Sequence, residues 1–147
     1  MKGNEKVVKS LNAALSMELG AILQYLHHHW TGEGIESQTI LPIFKQIGMD
    51  EMRHAGLIAE RINFLEGDPT LAPAKIRKYG DLRKMMQDDL AGEYDAINYY
   101  KKVIKLCDEV GDSTSRLMME QILTDEERHA DIWETTLAKH RGTKEKD

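Results

Sequence analysis

The sequence predicts an all-α fold: an antiparallel four-helix bundle with one long crossover between helices 2 and 3. Three observations predict it. Apolar residues recur in four long stretches with alternating gaps of three and four, the spacing of a helix face turned toward a core. Only three prolines occur in 147 residues, and the glycines cluster at a few points, so long helices are not interrupted. Two of the connections between the stretches are short and one is long.

The first helix is expected over about 4–30, with Leu11, Leu15, Glu18, Ile22, Tyr25 and His29 on its inward seam. TGEGIES (31–37) ends it. The second is expected over about 36–65, on Phe44, Ile47, Glu51, His54, Ile58 and Leu65. Pro42 fits only near the start of that helix, or as a kink. EGDPTLAPAKIRKYG (66–80) then supplies two prolines and two glycines and is long enough to cross the bundle. The third helix is expected over about 81–110, on Leu82, Met86, Glu93, Ala96, Tyr100, Val103 and Val110. EVGDSTS (109–115) separates it from a fourth over about 113–140, on Met119, Ile122, Glu126, His129, Trp133 and Leu137, with Asp112 or Ser113 as N-cap. The short connections make the first and last pairs antiparallel hairpins, so residues 1–147 read as a single domain.

Bulk properties narrow the function. Hydrophobic residues make up 41% and charged residues 31%, ordinary for a folded globular chain. A net charge of −5 without a basic run argues against nucleic acid as the main partner. No run of 18 apolar residues spans a membrane, and MKGNEKVVKS lacks the apolar stretch of a signal peptide, so a cytoplasmic location is expected. The single Cys107 allows no internal disulfide and no four-cysteine metal module; it reads as a small buried residue.

The chain is also a repeat. DEMRHA (50–55) returns as DEERHA (125–130). The same offset of 75 maps Leu15 to Leu90, Glu18 to Glu93, Tyr25 to Tyr100 and Ile47 to Ile122. Each half therefore supplies one Glu and, 33 residues later, one Glu-x-x-His. Glu18, Glu51, Glu93, Glu126, His54 and His129 all fall on seams that should be apolar. Four carboxylates in a core repel one another and lose hydration, at several kcal/mol per ion. Two divalent cations compensate: four carboxylates carry −4, two ions carry +4, and one neutral imidazole can join each ion. Glu and His at i and i+3 share a helix face, so both can reach one metal. Bundles with this donor set are a known dinuclear carboxylate design. Mixed oxygen and nitrogen donors with open positions suit iron or manganese better than structural zinc.

On these residues the chain resembles bacterioferritin, from MKGNEKVVKSLNAALSMELGAILQY through ILTDEERHADIWETTL, with DEMRHA, AERINFLEG and DLAGE as closely matching stretches. The resemblance implies a ferritin-like bundle and a ferroxidase that oxidises Fe(II) to Fe(III) with O₂ or H₂O₂, for iron storage or detoxification. It implies two irons per subunit (manganese is possible chemically), with Glu51 and Glu126 bridging and His54 and His129 each on one iron. Met52 is the candidate axial ligand of a haem b shared across a two-fold dimer interface, with Leu19 lining that pocket. Without haem, Met52 reads as a packed interface residue. Two departures stand out. After Arg141 only GTKEKD remains, where the family carries a short fifth helix, so a homodimer at least is expected, and a dimer or atypical assembly stays open beside the 24-subunit shell. Gln46 stands near where the family often places an extra iron-binding His.

Two other readings stay open. One is a site that keeps its metals, a di-iron or di-manganese oxidase or peroxidase of the rubrerythrin or manganese-catalase type in a smaller assembly. The other is a bundle that holds an inert ion such as zinc without turnover. Tyr25 and Tyr100, each seven residues after a candidate ligand Glu, are expected near the metals, to hydrogen-bond a carboxylate or supply an electron. Trp30 and Trp133 are expected to pack. HHH (27–29) cannot converge on one ion, because consecutive helical residues diverge; His29 is expected at the core end and the other two at the surface.

Overall fold

The computed structural model describes residues 1–138 and shows four helices: α1 (Glu5–Thr31), α2 (Ser37–Phe64), α3 (Leu82–Glu109) and α4 (Ser113–Leu137). Each expected boundary agrees to within one or two residues, apart from the last turn expected for α4, which falls partly outside the described residues. α1 packs antiparallel on α2 and α3 on α4, and the two hairpins meet mainly along α1 and α3. Among the described residues there is no strand, no fifth helix, and no helix long and apolar enough to cross a membrane.

Local chemistry sets the ends. The Asn4 side chain accepts hydrogen bonds from the Lys6 and Val7 amides, Asp81 from Lys84, and Asp112 from Ser115, so three N-termini have side-chain caps. α2 has none; Pro42 sits in its second turn, where few backbone bonds are lost. Two C-termini close alike. At α2 the Gly67 amide bonds Ile62 O and the Glu66 amide bonds Asn63 O; at α3 Asp112 bonds Cys107 O and Gly111 bonds Asp108 O. The left-handed position is Gly111 (φ 77°) in one and Glu66 (φ 65°) in the other, which puts a non-glycine residue where glycine is preferred.

Val7, Leu11, Ile58, Ile62, Val103 and Met119 fill one end of the core, and Phe44, Ile47, Met85 and Trp133 the other. The carboxylate-bearing turns lie between these two clusters. Val110, expected on the seam, lies beyond the end of α3 and is exposed.

The crossover has no regular structure, yet it is anchored along one ridge of α1. Asn12 donates to Asp68 O and accepts from the Thr70 amide. Four residues on, Ser16 O accepts from the Ala74 amide. At Gly20 a Cβ would come within 2.9 Å of Ala74 O, so only glycine allows this approach. Gln24 Oε1 accepts from the Arg77 amide, and His28 Nε2 lies 3.2 Å from Arg77 O. Spacing of four puts these five residues in one row, three of them acting through side chains.

Candidate metal centre

Glu18 on α1, Glu51 and His54 on α2, Glu93 on α3, and Glu126 and His129 on α4 are all buried and converge midway along the bundle. Their donor atoms form two groups, each with all atoms within 4.8 Å of one another: Glu18, Glu51, His54 and Glu126, and Glu51, Glu93, Glu126 and His129. Glu51 and Glu126 belong to both. The six residues singled out by the repeat are thus brought together.

The halves are near equivalents. His54 Nδ1 lies 2.9 Å from Glu126 Oε1, 3.4 Å from Glu51 Oε1 and 3.6 Å from Glu18 Oε1. His129 Nδ1 lies 3.3 Å from Glu51 Oε1, 3.5 Å from Glu93 Oε1 and 3.7 Å from Glu126 Oε2. Despite these distances, neither Nδ1 has a partner in hydrogen-bond alignment. Nor do Glu18 Oε2, Glu51 Oε1, Glu93 Oε2 or either oxygen of Glu126. Buried polar atoms are normally paired. Seven unpartnered donor atoms facing one another could hold two cations.

The surrounding residues fix which atoms stay free. His54 Nε2 bonds Asp125 Oδ2 at 2.7 Å, and His129 Nε2 bonds Asp50 Oδ2 at 2.9 Å. Each aspartate comes from the opposite half of the chain and holds its imidazole with Nδ1 turned inward. Arg53 and Arg128 bond the same two carboxylates from the surface. Tyr25 donates to Glu93 Oε1 and Tyr100 to Glu18 Oε1, each at 2.6 Å, leaving Oε2 of each glutamate unpartnered. Trp133 Nε1 in turn donates to the Tyr25 hydroxyl at 2.9 Å.

Crowding reshapes the protonation of the metal-free cluster. Burial, with the Glu51 charge added, pushes Glu18 up to about 8. Burial and the charges of Glu18, Glu51 and Glu93 hold Glu126 well above the usual carboxylate range. Burial alone would raise Glu51, but the facing His129 and His54 imidazoles win and hold it at about 2. Burial opposes charging of His54 and His129, yet the surrounding glutamates, Glu126 foremost, raise both well above the usual imidazole range. Burial likewise acts to raise Asp50 and Asp125, but the bonds from His129 and His54 lower both. Burial and nearby carboxylates raise Tyr25 and Tyr100 well above the usual phenol range, so both stay protonated donors.

The remaining candidates divide. Met52 is 46% exposed on the outer face of α2, with Leu19 partly buried on α1. Gln46 is exposed and donates to Asp50 Oδ1 at 3.3 Å. Trp30 is exposed, whereas Trp133 packs in the core and also joins the Tyr25 bond. The reading of the His triplet needs correction. His28, not His29, is the fully buried member, and it bonds Asp89 Oδ2 through Nδ1 at 2.9 Å; His29 sits partly exposed with Nδ1 on Leu41 O at 2.7 Å. Gln24 donates to the other Asp89 oxygen at 2.8 Å. Burial raises Asp89 to about 6 against the pull of His28. Asp89 and Gln24 had no sequence signal, because the partners of Asp89 lie on α1 and those of Gln24 on α3 and the crossover. Asp50 and Asp125 did have one: both are repeated letters beside a candidate ligand.

Comparison with known proteins agrees with this geometry. Residues 8–142 match the family described as Ferritin-like domain. Bacterioferritin of Rhodobacter capsulatus is 40% identical over 139 residues, covering 94% of this chain and 86% of that one. Bacterioferritin of Brucella melitensis is 37% identical over 138 residues, covering 93% and 86%. The solved R. capsulatus bacterioferritin, which has a metal-free dinuclear site and a haem iron on a crystallographic special position, superposes with a TM-score of 0.86 at 38% identity, covering 93% and 86% of the two chains. A ferritin-like di-iron-carboxylate protein from Bacillus anthracis superposes with a TM-score of 0.88 at 29% identity, covering 91% and 96%.

Proposed function

The chain belongs to the ferritin family as a bacterioferritin, and from that premise we propose that it is a ferroxidase, which oxidises Fe(II) as its substrate for iron storage or detoxification. The observation that carries the proposal is the set of seven unpartnered buried atoms on the six converging residues.

In this reading His54 Nδ1 and Glu18 hold one ion, His129 Nδ1 and Glu93 hold the other, and Glu51 and Glu126 bridge. The membership of Glu51 and Glu126 in both donor groups supports their bridging role. Two Fe(II) give one electron each to O₂, which takes up two protons and leaves as H₂O₂, or to H₂O₂, which takes up two protons and leaves as two waters. The protein's part is placement. Asp125 and Asp50 hold the imidazoles with Nδ1 inward. Tyr25 and Tyr100 each occupy one oxygen of a terminal glutamate, so the other oxygen is committed to the metal. The buried Trp133–Tyr25 pair is also a chemically competent electron donor beside the site.

Haem fits the outer face. Met52 offers an exposed thioether, Leu23 and Met49 are exposed apolar neighbours on α1 and α2, and a Cβ at Gly56, one turn after Met52, meets nothing within 4 Å. Such a face suits a homodimer in which two Met52 thioethers hold one haem. A bound haem supplies a one-electron couple. Met52→Leu should abolish a Soret band while leaving metal uptake by the glutamates intact.

Glu51→Ala tests the main assignment. It should abolish rapid Fe(II) oxidation while the far-ultraviolet circular dichroism stays helical; unchanged oxidation kinetics would refute the assignment. Gln46 favours the second reading, a site that retains its metals, because its amide is a poor iron ligand where a histidine would relay iron. Irons retained per subunit after aerobic loading separate the two: roughly two for a retained cofactor, far more for a stored mineral.

A further inference from the structure

A cavity of about 190 Å³ lies between α1 and α3 beneath the crossover and reaches Glu51, Glu93 and Glu126. We propose that this cavity is the route by which the small uncharged oxidant, dioxygen or hydrogen peroxide, reaches the metals, and that iron does not use it. The inference rests on the ferroxidase reading.

Size admits a small molecule: 190 Å³ is the volume of roughly six waters. Charge and ligand chemistry exclude the cation. Lys75 and Arg77 line the outer end; Arg77 is paired with Asp95, so Lys75 is left as the net positive charge that an approaching Fe(II) meets. A hydrated cation entering a narrow passage needs oxygen ligands to replace its waters. Outside the three glutamates at its inner end, two acids line this one, and both are engaged. Asp95 lies 3.5 Å from the Arg77 guanidinium. Asp89 has one oxygen on Gln24 and the other on His28. Much of the remaining wall is apolar, from Met17, Ala21, Ala74 and Ala96. A neutral diatomic or peroxide needs no such ligands.

The roof is held in place by the same residues. Gln24 and His28 fix the Arg77 backbone, Ser16 fixes Ala74, and Asp89 ties Gln24 and His28 to α3. Gln24, His28 and Asp89 are therefore positioning residues for the passage, set apart from the metal ligands.

Gly92 offers a clean way to block it. Gly92 lines the cavity, and a Cβ built there meets no heavy atom within 4 Å. Leucine at this position fills open space and improves helix propensity, so the bundle should keep its fold. Ala21→Leu blocks from the opposite wall and serves as a second variant.

The test uses the full-length chain loaded anaerobically with Fe(II), with nitric oxide as a neutral diatomic probe read by the absorbance of its iron adduct. Co(II) uptake by the metal-free protein is measured in parallel. Gly92→Leu and Ala21→Leu should slow nitric oxide binding by about tenfold or more and leave the Co(II) uptake rate within about twofold of the parent. Unchanged nitric oxide rates in both variants would overturn the inference while leaving the metal site standing. Equal slowing of Co(II) would overturn it too, by making the cavity the cation route. Failure of the parent protein to bind Fe(II) would remove the ferroxidase reading and this inference together.

Discussion

Loading the metal-free protein with two divalent ions at pH 7 should release about four protons per subunit. The perturbation replaces protons held by the cluster. Glu18 has its pKa at about 8 and Glu126 is held well above the usual carboxylate range, so each is assigned a proton at pH 7. His54 and His129 are imidazolium, with Nε2–H bonded to aspartate and Nδ1–H facing the glutamates. Glu51, at about 2, is already ionised and contributes none. A cation on Nδ1 or on either glutamate must displace those protons, whereas the Nε2 protons stay on the imidazoles, donated to Asp125 and Asp50. Four protons leave and two M²⁺ arrive, so the buried charge is unchanged; this is how one core tolerates both states. By linkage, joint binding of two ions should weaken by about 5 kcal/mol per pH unit lost, close to a hundredfold per ion. Release should fall toward about three and a half protons at pH 8, where Glu18 is half ionised. Redox-inert Co(II) titrated into weakly buffered apoprotein, with the proton count read by pH-stat or by calorimetry in two buffers, measures this. Release of fewer than about two protons at pH 7 would refute the protonation scheme.

The same scheme sets how stability responds to pH. Glu18 is raised in the fold, so its stabilising contribution is full below its ordinary value of 4.5 and is lost as pH rises through about 8. The raised imidazoles act in the same direction above their ordinary 6.5. Metal-free protein should therefore lose about 3 kcal/mol from Glu18 alone between pH 5.5 and pH 8, with the imidazoles adding to it, a fall in Tm of at least roughly 6–12 °C by calorimetry, and Co(II)-loaded protein should not. Asp125→Asn and Asp50→Asn weaken the hold on one imidazole each and should cost about 10–100-fold in Co(II) affinity by competition with a chromophoric chelator; unchanged affinity would deny the aspartates that role. Glu66→Gly relieves the left-handed backbone at the end of α2 and should stabilise the fold by up to about 1 kcal/mol in urea titration; destabilisation would mean that the contact of Glu66 with the N-terminus outweighs the backbone strain. Asp89→Leu strands the buried Gln24 amide and His28 and should cost about 1–3 kcal/mol in the same titration.

The helices and the six convergent residues were legible in the sequence because both rest on local rules. Period and caps mark the helices, and the 75-residue offset marks the glutamates and histidines. What lay beyond reach depends on partners distant in sequence. Gaps of three and four after Tyr25 allow either His28 or His29 on the seam; the choice of His28 comes from Asp89, 61 residues away, and from the Arg77 carbonyl. Asp50 and Asp125 were printed in the repeat, yet each serves the histidine of the other half, 79 and 71 residues away. Val110 continued the α3 pattern by one step, but the left-handed turn at Gly111 ends the helix just before it. The cavity between α1 and α3 needed the path of a crossover without periodicity, which only its backbone bonds to one ridge of α1 reveal.

The most direct test of the dinuclear site is anomalous diffraction from crystals grown with Fe(II) under anaerobic conditions. Two peaks per subunit are expected, one on His54 Nδ1 and Glu18, the other on His129 Nδ1 and Glu93, with Glu51 and Glu126 touching both. A single peak, peaks confined to the surface, or imidazoles turned to bind through Nε2 would contradict the account.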